Sequence, residues 1–175
     1  MCVKVERLSA EADAASLRNE YRDAPRFLKL CKECPCFSSS WLCPPVAPEL
    51  LKRLDALERV RVEALKIVPE PECRLTGAEI IQQHRIGFEH TLLELEKELG
   101  GIACGFSGRC PYCGNRACSR PEGLPCRHPE KARQSLEALG FDVAGIAADV
   151  LATPIKWEVD GCRPPYYMLV GAVFY

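Results

Sequence analysis

The cysteines of this chain are grouped, and their grouping constrains the fold more than any other feature of the sequence. Of 12 cysteines, eight fall in two short stretches. Thiolates held so close together repel one another unless a cation lies between them. The grouping therefore predicts two loops that bind metal ions or iron–sulfur clusters. The predicted ligands are Cys31, Cys34, Cys36 and Cys43 in the first group, and Cys110, Cys113, Cys118 and Cys126 in the second.

A disulfide framework is the other interpretation of so many cysteines. Disulfides persist in oxidising compartments and are dense in short secreted chains. Residues 1–15 carry charges where a signal peptide requires an apolar stretch, and 175 residues are enough to form a core without covalent links. We therefore expect a cytoplasmic protein whose grouped cysteines bind metal.

The charge balance argues against two classes of partner. The chain has 23 Lys and Arg residues against 24 Asp and Glu residues, a net charge of −1. It lacks the global positive charge that holds nucleic acid. No apolar run approaches the roughly 18 residues that cross a membrane. We expect neither nucleic acid nor a membrane as partner.

Apolar periodicity and turn residues predict helices and strands without strict βαβ alternation. The clearest helix is 76–99, where Thr76 is the N-cap and Glu79 completes a capping box. The pattern predicts one α+β domain over residues 1–175, with a small, largely antiparallel sheet flanked by helices and two cysteine-rich metal-binding loops. The other predicted helices are 9–23 (capped by Ser9), 48–57, 129–139 and 143–151, and the predicted strands are 60–68, 102–106, 155–159 and 166–174.

The second cysteine group has the spacing C-x2-C-x4-C-x7-C. Two cysteines at C-x2-C can turn both sulfurs toward one centre, and neighbouring glycines leave room for close approach. Four thiolates are sufficient for a complete site, either a cluster or a zinc ion. A zinc ribbon usually pairs two C-x2-C knuckles, but Cys118 and Cys126 are separated by seven residues. This spacing favours an iron–sulfur cluster, with zinc as the alternative.

The first cysteine group is less regular. Cys31 and Cys34 have the spacing of a chelating pair, and Cys43 precedes a proline, as in the cysteine-proline that ends many ferredoxin ligand runs. Cys36 lies only two positions after Cys34, so binding of both to one centre is strained. Cys104 is therefore the alternative fourth ligand. Three further cysteines stand alone in the sequence and are expected to be small buried hydrophobes: Cys2, Cys73 and Cys162.

Two motifs stand out when the cysteine groups are read together with their neighbours. They are Cys31-x2-Cys34 with Trp41-x-Cys43-Pro44-Pro45, and Cys110-x2-Cys113 with Pro125-Cys126-Arg127-His128-Pro129-Glu130, continued by residues 132–143. The combined motifs resemble a family of small prokaryotic proteins described as predicted metal-binding, a domain of unknown function. The resemblance extends from about residue 25 to the end. It implies iron–sulfur or other metal binding in anaerobic bacteria and archaea, with no settled activity.

These observations predict a cytoplasmic iron–sulfur protein with one or two clusters of the [4Fe-4S] type, which exchanges electrons with a redox partner protein. The sequence has no phosphate-binding glycine loop and no H-E-x-x-H motif. The alternative from another class is an adaptor in which zinc only holds the fold, and a third is an enzyme with an open iron site. An acidic partner would dock on the basic side chains around the second group: Arg109, Arg116, Arg120, Arg127, Lys131 and Arg133.

Overall fold

The computed structural model of the protein describes residues 2–114 and 116–175. They form four strands, five α-helices and two short 3-10 turns, Arg120–Glu122 and Glu137–Leu139. The strands and helices in chain order are β1 (Val3–Asp13), α1 (Ala14–Tyr21), α2 (Ala24–Glu33), α3 (Pro48–Asp55), β2 (Arg59–Pro69), α4 (Gly77–Leu99), β3 (Ile102–Cys104), α5 (Val143–Asp149) and β4 (Tyr167–Phe174).

The four strands form one antiparallel sheet in the order β1-β2-β4-β3. Strand β1 pairs with β2 along its whole length, from Val3 opposite Pro69 to Asp13 opposite Arg59. Helices lie beside the strands without βαβ crossovers between parallel neighbours. The prediction of an α+β fold with a small antiparallel sheet is confirmed.

Helices cover both faces of the sheet, which explains why all eight residues of β4 are buried. On one face α4 packs Phe88 and Leu92 against Leu169. The approach is close: a Cβ at Gly171 would lie 2.5 Å from Leu92 Cδ1. On the other face α1, α3 and α5 form the second half of the core around Phe174. No helix in the described ranges has the length and apolar character that a membrane crossing requires.

Helix α4 follows the prediction closely. Its N-cap is Thr76, and the reciprocal bonds of the capping box with Glu79 are both present. It ends where Gly100 takes the left-handed conformation, with φ of 65°. The predicted helix 143–151 also forms, as α5, and Asp142 caps it by accepting from the Gly145 N–H. These ends are set by local side-chain chemistry that can be read from the sequence.

The predicted helix over 9–23 is wrong in its first half. Residues up to Asp13 belong to β1, and the helix begins at Ala14 with Asp13, rather than Ser9, as its N-cap. Ser9 instead donates a 2.6 Å hydrogen bond to Glu63 of β2. The eleven-residue ladder with β2 overrides the local helix propensity of this stretch.

Two further predicted elements are wrong. Residues 129–139 form no α-helix. Their backbone makes a hydrogen bond with another part of the chain instead, since the Gln134 carbonyl accepts from the Gly105 N–H at 2.9 Å. Residues 155–159 join no sheet, and only an isolated bridge links Val159 with Cys162. The first stretch bonds to a distant part of the chain, whereas the second makes only a local bridge.

One ion pair fastens residues 129–136 to α4. Glu96 accepts from Arg133 Nη2 at 2.6 Å and from its Nε at 2.8 Å, and it also accepts from the Ala103 N–H at 2.6 Å. Burial alone would raise the pKa of Glu96, but the guanidinium and the Ala103 N–H bring it below its ordinary value. The ionised carboxylate is therefore the form that stabilises the fold.

We predict that this contact makes stability depend on pH. Because the folded-state pKa of Glu96 is lowered, its contribution is present above the unfolded pKa of about 4.3 and is lost as the pH falls through the folded value. Glu96→Gln should lower the free energy of unfolding at pH 7 by about 1–2 kcal/mol and flatten its decline in acid. Urea unfolding between pH 7 and pH 3 measures both, with the exposed Glu94→Gln as control. An unchanged acid profile in Glu96→Gln would contradict the assignment.

Candidate metal centre

The first cysteine group begins on a helix and continues through tight turns. Cys31 lies in the last turn of α2, and Pro35 follows the end of that helix. The Cys34 N–H donates to the Cys31 carbonyl at 3.1 Å, and the Phe37 N–H donates to the Cys34 carbonyl at 2.9 Å. These successive turns fold the segment back on itself, so that cysteines spaced irregularly in sequence can face one space.

All four cysteines of the first group line one small pocket. Its volume is about 100 Å³, and Ser107, Gly108 and Glu137 complete its wall. Cys36, which the spacing made the weakest ligand, lines this pocket together with Cys31, Cys34 and Cys43. The spacing alone could not reveal this placement, because it does not show the turns that bring Cys36 to the pocket.

Cys104, the alternative fourth ligand, lies elsewhere. It is fully buried in the core between the sheet and the helices, and it does not line the cysteine pocket. Burial strongly raises the pKa of its thiol, which therefore stays neutral. Cys104 behaves as a small core hydrophobe.

The sulfurs of the first group already make polar contacts. The Cys36 N–H donates to Cys34 Sγ at 3.4 Å, and Cys43 Sγ lies 3.2 Å from the Cys36 carbonyl, to which its thiol donates. Burial raises the pKa of the Cys31 thiol, and the Glu137 carboxylate adds to the increase. A thiol with a raised pKa holds its proton until a bound cation displaces it, so metal binding here would release protons.

Arg120, which lies between Cys118 and Cys126, holds the first loop in place. Its Nη1 donates to the carbonyls of Ser40, at 2.7 Å, and Cys43, and its Nη2 donates to the Pro45 carbonyl at 2.8 Å. The guanidinium carbon also lies 5.3 Å from the centre of the Trp41 ring. One side chain of the second stretch thus fixes three carbonyls of the first.

Two further contacts join these stretches. Trp41 Nε1 donates to the Leu124 carbonyl at 3.2 Å, and Gln134 Nε2 donates to the Trp41 carbonyl at 3.0 Å. The two cysteine stretches are therefore parts of one assembly, although 66 residues lie between Cys43 and Cys110.

In the second group, Cys113 and Cys118 each lie near enough to Cys110 to influence its thiol. Burial raises the pKa of Cys110, and the neighbouring Cys113 and Cys118 raise it further, while the Tyr112 N–H opposes this increase. Cys126 instead lines a separate depression beside Trp41, and its sulfur accepts from the His128 N–H at 3.4 Å. The predicted four-cysteine set is thus only partly gathered.

Within residues 2–114 and 116–175, no three Cys, His, Asp or Glu side chains converge closely enough to hold a single metal ion.

A buried network on α4 supports the loop that carries Cys110. Arg85 and Glu89 are 4% and 6% exposed and are joined at 2.8 Å. Arg85 also donates to the carbonyls of Phe106 at 3.1 Å and Arg109 at 2.7 Å, and the Tyr112 hydroxyl donates to Glu89. Sequence reasoning missed this network, although an Arg and a Glu four residues apart on α4 were a visible signal.

The basic side chains around the second group are only partly free to face a partner. Arg120 holds the first loop, Arg133 is paired with Glu96, and Arg127 donates to the Ala117 carbonyl at 2.7 Å. Half of the predicted docking charges thus support the fold of this region.

Each of the three isolated cysteines differs in some respect from the expected free and buried residue, and Cys2 is only partly buried. Cys2 and Cys73 are joined as a disulfide, with Cα atoms 5.0 Å apart, so the chain contains one disulfide where none was expected. Cys162 is exposed rather than buried. Cys73 is buried, as predicted, and the link fastens the start of β1 to the loop after β2.

A family model described as "Predicted metal-binding protein (DUF2284)" matches residues 18–174. The chain belongs to this family. The match spans both cysteine groups and supports metal binding in general. No curated protein and no solved structure matches the chain.

We predict that Arg120 controls the shape of the cysteine pocket. Arg120→Ala removes the donors to three carbonyls and should lower the free energy of unfolding by about 2–3 kcal/mol. It should also speed the reaction of the first-group thiols with a thiol reagent in metal-free, reduced protein. Arg120→Lys keeps the charge but cannot reach all three carbonyls, so it should rescue only part of the effect.

The control for this experiment is Arg116→Ala, which removes an exposed basic side chain from the same stretch. Equal stability and equal thiol reactivity in the Arg116 and Arg120 variants would show that the loop does not depend on Arg120.

Proposed function

We propose that the first cysteine group binds an iron–sulfur cluster of the [4Fe-4S] type and that the protein exchanges electrons with a redox partner. The observation that carries this proposal is the pocket lined by Cys31, Cys34, Cys36 and Cys43. Four cysteines are the usual ligand set of such a cluster. Membership in a predicted metal-binding family supports metal at this chain in general.

The size of the pocket favours a cluster over a single ion. A water molecule requires about 10–15 Å³ of such space, whereas this pocket offers about 100 Å³. A structural zinc site is closed by four ligands at about 2.3 Å, with no room beyond the ion. The pocket that the four cysteines help to line therefore has room for a group of atoms rather than for one ion alone.

The surroundings of the pocket suit an electron carrier. When bound, an iron–sulfur cluster supplies a one-electron redox change. Leu42, which is 5% exposed, lines the pocket and limits access of water. The Cys36 N–H, directed at Cys34 Sγ, would stabilise negative charge on that sulfur. Arg120 holds the loop so that the ligands need not reorganise between oxidation states.

The second cysteine group is proposed as a second centre. Proximity supports Cys110, Cys113 and Cys118 as ligands, and Cys126 is the fourth only if its loop closes toward them. Zinc is the alternative metal for this second group, since Cys110-Pro111-Tyr112-Cys113-Gly114 resembles a zinc knuckle. Here zinc would fasten the loop and leave redox chemistry to the first group.

Metal analysis tests the proposal directly. Protein produced with sufficient iron and purified without oxygen should be brown and contain about four irons and four acid-labile sulfides per cluster. Its visible absorption should bleach with a low-potential reductant and return on reoxidation. Stoichiometric zinc without labile sulfide would contradict the cluster and favour the structural adaptor.

Matched serine variants test the ligand set. Since Cys34 and Cys36 line the same pocket, we expect Cys34→Ser and Cys36→Ser each to lower the iron content by about one cluster's share. Cys162→Ser removes an exposed cysteine outside both groups and is the control. If Cys36→Ser retained the iron content of the control while Cys34→Ser lost it, the weaker role that spacing gave Cys36 would be correct.

A further inference from the structure

A larger cavity lies beside the cysteine pocket. Its volume is about 360 Å³, within the range of small-molecule sites. It opens where the first turn of α4, the start of β4 and the segment 155–158 meet. Its lining is mainly apolar and aromatic, with Ile81, Phe106, Ile155, Trp157, Tyr167 and Met168.

The cavity and the cysteine pocket share a wall. Ser107 and Glu137 line both spaces. The Glu137 carboxyl group is near enough to Cys31 to influence that thiol, and Ser107 and Ser135 also line the cysteine pocket beside it. A molecule in the cavity would therefore lie next to whatever the four cysteines bind, with one carboxylate between them.

One wall of the cavity depends on a glycine. A Cβ at Gly77 would lie 2.6 Å from Tyr167 Cε1, so only glycine lets the Tyr167 ring stand against the first turn of α4. At the mouth, Trp157 is 70% exposed even though it lines the cavity. A large aromatic side chain left in water beside an apolar space is typical of a surface that a ligand covers.

We propose that this cavity binds a small, uncharged aromatic molecule carrying one hydrogen-bond donor, with the donor directed at Glu137. This inference goes beyond the proposed cluster and does not depend on which metal the cysteines hold.

The class of ligand follows from the lining. Aromatic side chains and methionine favour a flat, apolar ring system. The charged side chains at the segment 155–158 are Lys156 and Glu158, which cancel, so the mouth offers no preference for a net charge. In the interior, the apolar lining disfavours a charged ligand, and a carboxyl oxygen of Glu137 can accept a hydrogen bond from a hydroxyl or amine.

The test uses N-phenyl-1-naphthylamine, an uncharged aromatic amine whose fluorescence rises in apolar surroundings. It is titrated into the full chain, purified without oxygen, with metal content measured on the same sample. We expect a saturable rise with one site per chain, and emission excited through Trp157. Among competitors, 1-naphthol should displace the probe at about tenfold lower concentration than 1-methoxynaphthalene, which has no donor, or 1-naphthalenesulfonate, an anion.

Two variants locate the site. Ala78 is exposed and lines the cavity, so Ala78→Phe narrows the space and should weaken probe binding about tenfold or more. Ala56→Phe makes the same change at an exposed position outside the cavity and should leave binding unchanged. Trp157→Ala should weaken binding and abolish most of the energy transfer.

No saturable binding, equal binding in the Ala78 and Ala56 variants, or equal displacement by all three competitors would overturn the proposal. The metal content of the same samples tests the cluster separately. Probe binding without iron would support this inference and contradict the proposed function. Iron without probe binding would support the proposed function and contradict this inference.

Discussion

The hydrogen bonds from the Arg120 guanidinium to three carbonyls of residues 40–45 are the contact on which the candidate metal centre depends. A loop that is rich in cysteine and proline and has no regular structure makes few backbone hydrogen bonds of its own. A single guanidinium group, with several donors, can hold such a loop in one conformation. Because Arg120 belongs to the second cysteine stretch, the two stretches must fold together. The ion pair of Glu96 with Arg133 and the buried Arg85–Glu89 pair then fasten the second stretch to α4.

This arrangement sets the cysteines at the side of a rigid sandwich. Helix α4 and the sheet supply a dry, closely packed base, and the chemistry-bearing residues lie in loops that the base supports. The four-cysteine pocket and the aromatic cavity meet at Ser107 and Glu137. The proposed centre would exchange electrons with its partner from this position, and the proposed ligand of the neighbouring cavity would lie against the same wall.

The parts of the fold that could be predicted from sequence are those with local causes. Helix α4 has its caps and its apolar period, and β4 is a continuous apolar run between covered faces. The failures have distant causes: residues 9–13 join β2 in a ladder, and residues 129–136 are held by Glu96. For the site, the cysteine spacing indicated candidate ligands, but it gives only their separation along the chain and not their arrangement in space. It could not anticipate the turns that bring Cys36 into the pocket, or the burial that removes Cys104.

The central claim is that the first cysteine group holds the centre, and cysteine-resolved alkylation tests it most directly. Protein purified without oxygen is treated with iodoacetamide before and after removal of metal by a chelator, and each cysteine is quantified by mass spectrometry. The account predicts that Cys31, Cys34, Cys36 and Cys43 are protected together with metal and react without it, while the buried Cys104 stays unreactive in both states. Equal reactivity of those four cysteines with and without metal, with protection confined to residues 110–126, would contradict it.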